Sequence, residues 1–205
     1  MRLVRFVADD GPRAGRVDED GLVHPLAGSV TELARRATRE PGWQAPATAD
    51  PRPLADLTLL APVEAPGAVR DFYSFERHVA TARAGRGLEM DPAWYRHPVF
   101  YFSNPAVLLG PDAEVHPPAR TAQLDFELEL AWVVGEDVVG ADIDAAGRAV
   151  VGFTVMNDWS ARDIQREEMA LSLGPAKGKD FATSLGPVLV TADEMDPSSG
   201  AMGAW

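Results

Sequence analysis

The stretch LDFELELAWVVG, residues 124–135, combines a strand pattern with an unusual run of charges. Acidic residues at every second position, Asp125, Glu127 and Glu129, alternate with apolar ones. A period of two predicts a β-strand with one polar and one apolar face. Successive carboxylates on the polar face would lie about 6–7 Å apart along the strand, and like charges on one face repel. Two interpretations account for them: an edge exposed to solvent, or a divalent cation that takes carboxylate oxygens as ligands.

Composition limits the classes of protein to which the chain can belong. Its 205 residues suffice for one domain, or for one domain with a small extra module, and 46% of them are hydrophobic, which excludes global disorder. The absence of cysteine excludes disulfides, thiolate zinc sites and cysteine nucleophiles. The formal net charge of −12 argues against nucleic acid as a partner. No apolar run approaches a membrane span or a signal-peptide core. The sequence therefore predicts a cytoplasmic protein that binds no membrane.

The organisation of the chain changes near residue 62. Residues 1–62 predict a small N-terminal β-rich module with one helix, SVTELARRATR, in which Ser29 and Glu32 have capping-box spacing. A segment rich in proline and alanine follows, and residues 63–205 predict a second domain. Strands outnumber helices, and no regular β-α-β alternation is present. This pattern favours a mixed-β, α+β fold over a doubly wound one.

A fourth carboxylate lies where the apolar stretch VVGFTVM meets a predicted helix. Asn157, Asp158 or Ser160 could cap that helix at its N-terminus. Alternatively, Asp158, Arg162 and Gln165 follow at i, i+4 and i+7, on one helix face. A carboxylate, a guanidinium and an amide on one face suit a site for a metal and an anionic substrate. An ordinary salt-bridged surface stripe would have the same spacing.

A further group of polar residues occupies DFYSFERH, residues 71–78, at a predicted corner between a strand and a helix. Asp71, Tyr73 and His78 surround that corner. A histidine near carboxylates and a metal can act as a general base at neutral pH. Taken alone, a histidine such as His78 more often has a structural role.

Four segments, in this order, resemble the fumarylacetoacetate hydrolase family. They are DFYSFERH at 71–78, LDFELEL at 124–130, MNDWSARDIQ at 156–165 and GPAKGKDFATSLGP at 174–187. The similarity runs from about residue 65 to about residue 192. It implies that residues 63–205 are a catalytic domain that is incomplete at its C-terminus. It also implies a mixed β-sandwich or roll, a homodimer, and a bound Mg²⁺ or Ca²⁺, with Mn²⁺ as an alternative. Members of the family hydrolyse or decarboxylate β-diketo and acylpyruvate-type acids, or isomerise related dienoates.

The resemblance also implies a role for each matching residue. The expected metal ligands are Asp71, Glu127, Glu129 and Asp158, with the loop backbone at Thr183. The expected catalytic residues are His78 as the base that activates water, and Arg162, Gln165 and Lys179 near the substrate and the developing oxyanion. Tyr73 matches a tyrosine that contacts substrate. Asp125 matches no ligand of the family.

The expected activity is magnesium-dependent cleavage of a C–C bond in 2,4-diketo acids of the acylpyruvate or fumarylacetoacetate type. Decarboxylation or isomerisation of 2-oxo acids on the same scaffold is the alternative, and a non-catalytic metal-binding member is another. Two departures from the family keep these alternatives open. Family members continue beyond the point where this chain ends, and Met169 lies close to where fumarylacetoacetate-specific members have a tyrosine.

Overall fold

A computed structural model describes residues 1–40, 42–172 and 174–195. The helices are α1 (Val30–Arg39), α2 (Glu76–Ala84), α3 (Ile143–Arg148) and α4 (Arg162–Met169). The strands are β1 (Arg2–Ala8), β2 (Gly11–Val17), β3 (Leu22–Leu26), β4 (Arg52–Pro53), β5 (Leu59–Leu60), β6 (Val69–Phe72), β7 (Phe100–Ser103), β8 (Leu108–Leu109), β9 (Leu124–Asp125), β10 (Leu128–Val134), β11 (Val150–Asp158), β12 (Ser160–Ala161), β13 (Thr183–Leu185) and β14 (Leu189–Thr191). No helix within these ranges is long and apolar enough to cross a membrane.

One mixed sheet of ten strands organises the molecule. Eight strands follow the order β4-β3-β2-β1-β14-β11-β13-β8, while β10 joins by pairing with β11 and β5 by pairing with β1. The pairing of β13 with β8 is parallel, whereas β11 pairs antiparallel with each of its neighbours. Two small sheets, β6 with β7 and β9 with β12, lie beside it. The predicted mixed-β, α+β fold is thus confirmed.

Helix α1 begins where the sequence predicts it. The Ser29 hydroxyl accepts a hydrogen bond from the Glu32 amide at 3.2 Å, and the Glu32 carboxylate accepts one from the Ser29 amide at 3.1 Å. This reciprocal capping box satisfies two amides that the first turn leaves free. Val30, Leu33 and Ala34 then bury one face of the helix against the sheet.

The first 62 residues and the rest of the chain share one core. Strand β1 pairs with β14, where Leu3 lies opposite Leu189. The largest group of buried apolar residues around this pair draws on α1, β1, β2, β3, β10, β11 and β14: Leu3, Ala14, Leu26, Val30, Leu33, Ala34, Val133, Val151 and Leu189. The boundary predicted near residue 62 therefore separates parts of the chain that complete the same sheet.

The expected start of α4 is wrong. Asn157 and Asp158 are the last residues of β11, Ser160 lies in β12, and the helix begins at Arg162 with no side-chain cap on its first turn. Asp158 pairs with Thr183 of β13, and Ser160 pairs with Asp125 of β9. These non-local pairings keep the chain extended past the residues that local patterns would make into an N-cap. Asp158 consequently shares no helix face with Arg162.

We expect Leu189→Ala to lower the free energy of unfolding by about 2–5 kcal/mol, because truncating a buried leucine leaves a cavity. Leu189 is fully buried and lies against Gly152 of β11, so the cavity would open where both halves of the sheet meet. Urea denaturation measures the change. Leu171→Ala, at a position that is 78% exposed, is the matched control. A loss at Leu189 no larger than that of the control would contradict this account of the core.

Candidate metal centre

Three carboxylates from three separate strands converge at one end of β11. Asp71 lies on β6, Glu129 on β10, and Asp158 at the end of β11. One oxygen from each lies within 4.8 Å of the others. Asp158 is 2% exposed, and the other two are partly buried. We call these three residues the acidic cluster.

Strand β10 turns its acidic residue inward and its largest apolar residues outward. Glu129 and Ala131 are partly buried and Val133 is buried. Between them, Leu128 is 75% exposed and Trp132 is 60% exposed. The predicted alternation is present, but the polar side of the strand faces the interior of the molecule. An edge exposed to solvent therefore does not describe Glu129.

A break between β9 and β10 sends the three acids of the opening stretch to different places. At the break, the Glu127 amide donates to the Asn157 side-chain oxygen at 3.2 Å, and the Asp158 amide donates to the Glu127 carbonyl at 3.0 Å. The Asp125 carboxylate accepts from Arg162 Nε at 2.8 Å. Asp125 therefore pairs with Arg162, which also contacts Glu127, and it lies outside the acidic cluster.

Glu127 lies between two cations. Lys179 Nζ donates to one of its oxygens at 2.6 Å, and Arg162 donates to the other. Burial by itself raises the pKa of Glu127, but the hydrogen bonds and charges of Lys179 and Arg162 outweigh it and hold that pKa below its usual range. Arg162 also donates to the Gln165 side-chain oxygen at 3.1 Å. Arg162 and Gln165 thus contact each other beside Glu127.

Lys179 connects Glu127 to the acidic cluster. Its side chain is 3% exposed, and its ammonium also donates to Asp158. The loop of residues 174–182, which follows α4, carries this lysine. Among the residues that the structure describes, Lys179 is the one cation that contacts a member of the cluster.

The cluster carries more negative charge than Lys179 can balance. Burial raises the pKa of Glu129 to about 8, and the charges of Asp71, Asp158 and Glu127 add to this effect. Burial, followed by the charge of Asp158, raises the pKa of Asp71 to about 6. Closely spaced, partly desolvated carboxylate oxygens are the donors that hard divalent cations prefer. The donor set therefore fits such a cation.

Tyr101 is a residue of this site that sequence reasoning missed. Its hydroxyl lies 2.9 Å from an Asp71 oxygen and also contacts Asp158. Burial and the two neighbouring carboxylates raise the pKa of Tyr101, so its hydroxyl stays neutral. The register of the β6–β7 pair would have identified it, because Asp71 and Tyr101 lie directly opposite each other in these strands. That pairing joins segments 30 residues apart.

Of the remaining predicted residues, Thr183 lies beside the cluster, and Tyr73 and His78 contact each other. Thr183 is buried in β13, directly opposite Asp158. Tyr73 follows β6, and its ring meets the ring of His78 edge to face, with centroids 5.7 Å apart. His78 lies in the first turn of α2 and is exposed. Within the described ranges its imidazole has no hydrogen-bond partner, so nothing there fixes its tautomer.

Comparisons with known proteins match both parts of the chain. A family model described as fumarylacetoacetate (FAA) hydrolase C-terminal matches residues 67–204, and one described as Rv2993c-like, N-terminal, matches residues 1–62. Fumarylacetoacetase from Oryza sativa subsp. japonica is 33% identical over 165 residues, which make up 71% of this chain and 38% of that relative. The chain thus spans about two fifths of the length of this curated relative.

Solved structures extend the likeness over nearly the whole chain. The 5-carboxymethyl-2-hydroxymuconate delta-isomerase from Mycobacterium smegmatis is 29% identical, with a TM-score of 0.69 over 97% of this chain and 69% of that one. A 2-keto-3-deoxy-D-arabinonate dehydratase complexed with magnesium and 2,5-dioxopentanoate has a TM-score of 0.70 over 96% and 69%. At 21% identity, the dehydratase shows a likeness of fold alone.

The raised pKa of Glu129 predicts how stability changes with pH when no metal is bound. Glu129 stays protonated in the folded protein up to about pH 8, but it ionises near its ordinary pKa once the chain unfolds. The unfolded state then binds fewer protons, so this residue makes the folded state less stable as pH rises from about 5 to 8. Glu129→Gln removes the effect. We expect its melting temperature in EDTA to match that of the wild type near pH 4 and to exceed it by about 3 °C or more at pH 8.

Differential scanning fluorimetry across pH 4–8 measures this difference. Glu19→Gln, at an exposed glutamate in the turn between β2 and β3, is the matched control and should show no such trend. A melting-temperature difference between Glu129→Gln and the wild type that stays constant with pH would contradict the assigned burial of Glu129.

Proposed function

The chain belongs to the fumarylacetoacetate hydrolase family, and on that premise we propose that it is a divalent-metal-dependent hydrolase that cleaves a C–C bond in 2,4-diketo acids of the acylpyruvate or fumarylacetoacetate type. The observation that carries the proposal is the acidic cluster, in which Asp71, Glu129 and Asp158 bring their oxygens together with one ammonium to balance them. Named relatives of the chain include hydrolases and an isomerase.

Asp71, Glu129 and Asp158 are the residues that would hold the cation, with Mg²⁺ as the first choice and Ca²⁺ or Mn²⁺ as alternatives. Glu127 and Thr183 remain predicted members of the ligand set, since Glu127 shares Lys179 with Asp158 and Thr183 lies opposite Asp158. When bound, a divalent cation would polarise the carbonyl oxygens of a 1,3-dicarbonyl acid and offset the negative charge that develops as the C–C bond breaks.

His78 is the proposed general base. It removes a proton from a water molecule as the oxygen of that water adds to the distal carbonyl carbon. The C–C bond next to that carbon then breaks, and its electron pair goes to the carbon between the two carbonyls. Return of the proton to this carbon completes the reaction and leaves a carboxylic acid and a 2-oxo acid. The exposed position of His78 gives it access to solvent water.

Lys179, Arg162 and Gln165 supply donors beside the cluster. Lys179 is the most buried of the three, and its positively charged ammonium can donate a hydrogen bond to an oxygen that gains negative charge. The Arg162 guanidinium is fixed by Asp125 and Glu127, so its orientation is set before substrate binds. Positioned donors of this kind stabilise developing charge without reorganising.

Isomerisation of a related 2-oxo dienoate is the second candidate. Two observations favour it: the likeness to an isomerase at 29% identity, and the lack of a hydrogen-bond partner for the His78 imidazole among the described residues. A proton shift needs one group that removes and returns a proton, and it needs no activated water. The same residues would therefore serve both reactions.

Removing metal tests the hydrolase proposal. We expect EDTA to lower cleavage of an acylpyruvate by about 100-fold or more and Mg²⁺ to restore it, because the cation offsets charge in the transition state. Glu129→Gln and Asp71→Asn should each weaken Mg²⁺ binding at least about tenfold in calorimetry, since each removes an anionic ligand. Chromatography of the products separates cleavage into two acids from an isomer of unchanged mass. Equal turnover with and without metal would rule out the proposal.

Replacing the base tests the role of His78. We expect His78→Asn to lower kcat by about 10²–10⁴-fold while the Kd for Mg²⁺ stays the same, because general-base catalysis typically contributes this much. His116→Asn is the matched control, since the His116 side chain is 81% exposed. Full activity in His78→Asn would remove this residue from the mechanism and leave the metal assignment standing.

A further inference from the structure

Glu168 has an arrangement that the proposed reaction does not use. It lies on α4, three residues after Gln165, and its side chain is only 13% exposed. Its two oxygens accept hydrogen bonds from three consecutive backbone amides of the glycine-rich loop: Ala176 at 3.2 Å, Lys177 at 2.8 Å and Gly178 at 2.8 Å. Successive amides that point at one anion form a nest, which holds the backbone in one conformation.

The Glu168 carboxylate is held in its ionised form, which accepts these hydrogen bonds. Burial by itself raises the pKa of Glu168, but the hydrogen bonds from Gly178, Lys177 and Ala176 outweigh it and lower that pKa below its usual range. The Lys177 ammonium lies 3.8 Å away on a side chain that is 80% exposed. An exposed pair at that distance contributes little. The backbone amides are therefore the main partners of Glu168.

Other contacts hold the loop next to the start of α4 and in a tight turn of its own. The Ala161 amide donates to the Gly178 carbonyl at 2.8 Å, and the Lys179 amide donates to the Ala176 carbonyl at 2.9 Å. A Cβ atom on Gly178 would lie 2.9 Å from the Gln165 Cα, so only glycine allows this close approach. The loop backbone is thus held on the helix at the residue just before Lys179.

Lys179 is the residue that gains from this anchoring. Its long side chain must lose several rotamers to place the ammonium between Glu127 and Asp158. Fixing the backbone at residue 178 removes the contribution of backbone motion to the position of that ammonium. A loop free to move would carry Nζ out of reach of both carboxylates.

We propose that Glu168 is a positioning residue, which holds the glycine-rich loop so that the Lys179 ammonium stays between Glu127 and Asp158. The inference deepens the proposed function and rests on it for the use of Lys179 as a donor to substrate. It assigns Glu168 no contact with substrate or metal.

The positioning role predicts that loss of Glu168 strengthens Mg²⁺ binding while it weakens catalysis. Lys179 occupies an oxygen of Asp158 and opposes a cation in the cluster by its charge. Glu168→Ala should free Lys179 and therefore lower the Kd for Mg²⁺ by about threefold or more while kcat falls by about tenfold. Lys179→Met should lower the Kd likewise, and the double variant should bind no more tightly than Lys179→Met alone. A merely structural role would weaken both binding and catalysis.

Glu168→Gln keeps the size of the side chain and one acceptor oxygen, so we expect an effect between those of the wild type and Glu168→Ala. The matched control is Glu167→Gln, at the exposed neighbouring position, which should leave the Kd and kcat unchanged. Mg²⁺ affinity in Glu168→Ala that is equal to or weaker than in the wild type would overturn the proposal, as would full additivity in the double variant.

A readout without metal separates this proposal from the proposed function. A buried, hydrogen-bonded ammonium exchanges its protons slowly, so the ¹⁵Nζ resonance of Lys179 should be resolved in the wild-type chain and lost in Glu168→Ala. Amide exchange at residues 176–178 should accelerate at least tenfold in the same variant. If the wild type binds no Mg²⁺ but these changes occur, the proposed function fails and the positioning role stands. An unchanged Lys179 resonance would overturn the positioning role.

Discussion

The burial of like charges around Asp158 is the constraint on which the rest of the site depends. Removing a carboxylate from water costs several kcal/mol unless a partner offsets it, and here three of them share one small volume. The molecule responds in three ways. Lys179 donates a hydrogen bond to Asp158, and the Tyr101 hydroxyl lies between Asp158 and Asp71. Burial and the neighbouring carboxylates raise the pKa of Glu129, so that Glu129 keeps its proton. Each response lowers the repulsion among the buried carboxylates.

Strand β11 places that cluster because it is central to the sheet. One edge pairs with β10, while the other pairs first with β14 and then with β13. Its first half carries Val151 and Phe153 into the core, and its last residue is Asp158. The same strand therefore fixes the hydrophobic core at one end and the acidic cluster at the other. A change in its register would displace both.

The facing of β10 reverses the usual arrangement of a half-buried strand. Its carboxylate points to the interior, and four large apolar side chains stay exposed: Leu128, Leu130, Trp132 and Val134. Hydrophobic burial alone would favour the opposite facing. Pairing with β11 instead puts Glu129 opposite Met156, next to the residues that lead to Asp158. This orientation places Glu129 in the acidic cluster and Val133 in the core, and it leaves the four larger apolar side chains exposed.

Two carboxylates outside the cluster show how the functional groups are supported. Asp125 fixes the Arg162 guanidinium, and Glu168 fixes the loop that carries Lys179. Each acts on a cation that reaches Glu127 from a different direction. Neither role is visible in the sequence, where Asp125 is one of three alternating acids and Glu168 is one acid among many in a chain of net charge −12. Their roles depend on partners that are distant along the chain.

Local interactions alone determined part of this protein. The capping box of α1 needs only Ser29 and Glu32, three residues apart, and the structure confirms it. Strand alternation around Glu129 and the excess of strands over helices were likewise sufficient for the mixed-β class. The family resemblance supplied the residue types of the site, and the structure brings Asp71, Glu129 and Asp158 together.

Only the tertiary structure decided which acids share a site and where α4 begins. Asp125, Glu127 and Glu129 look equivalent in sequence, but in the structure Asp125 pairs with Arg162, Glu127 lies between Arg162 and Lys179, and Glu129 joins the acidic cluster. Tyr101 joins the cluster because β6 and β7 pair across 30 residues. The physical reason is the same in each case: strand register and facing are set by backbone hydrogen bonds between distant segments, and a shift of one residue turns every side chain to the other face.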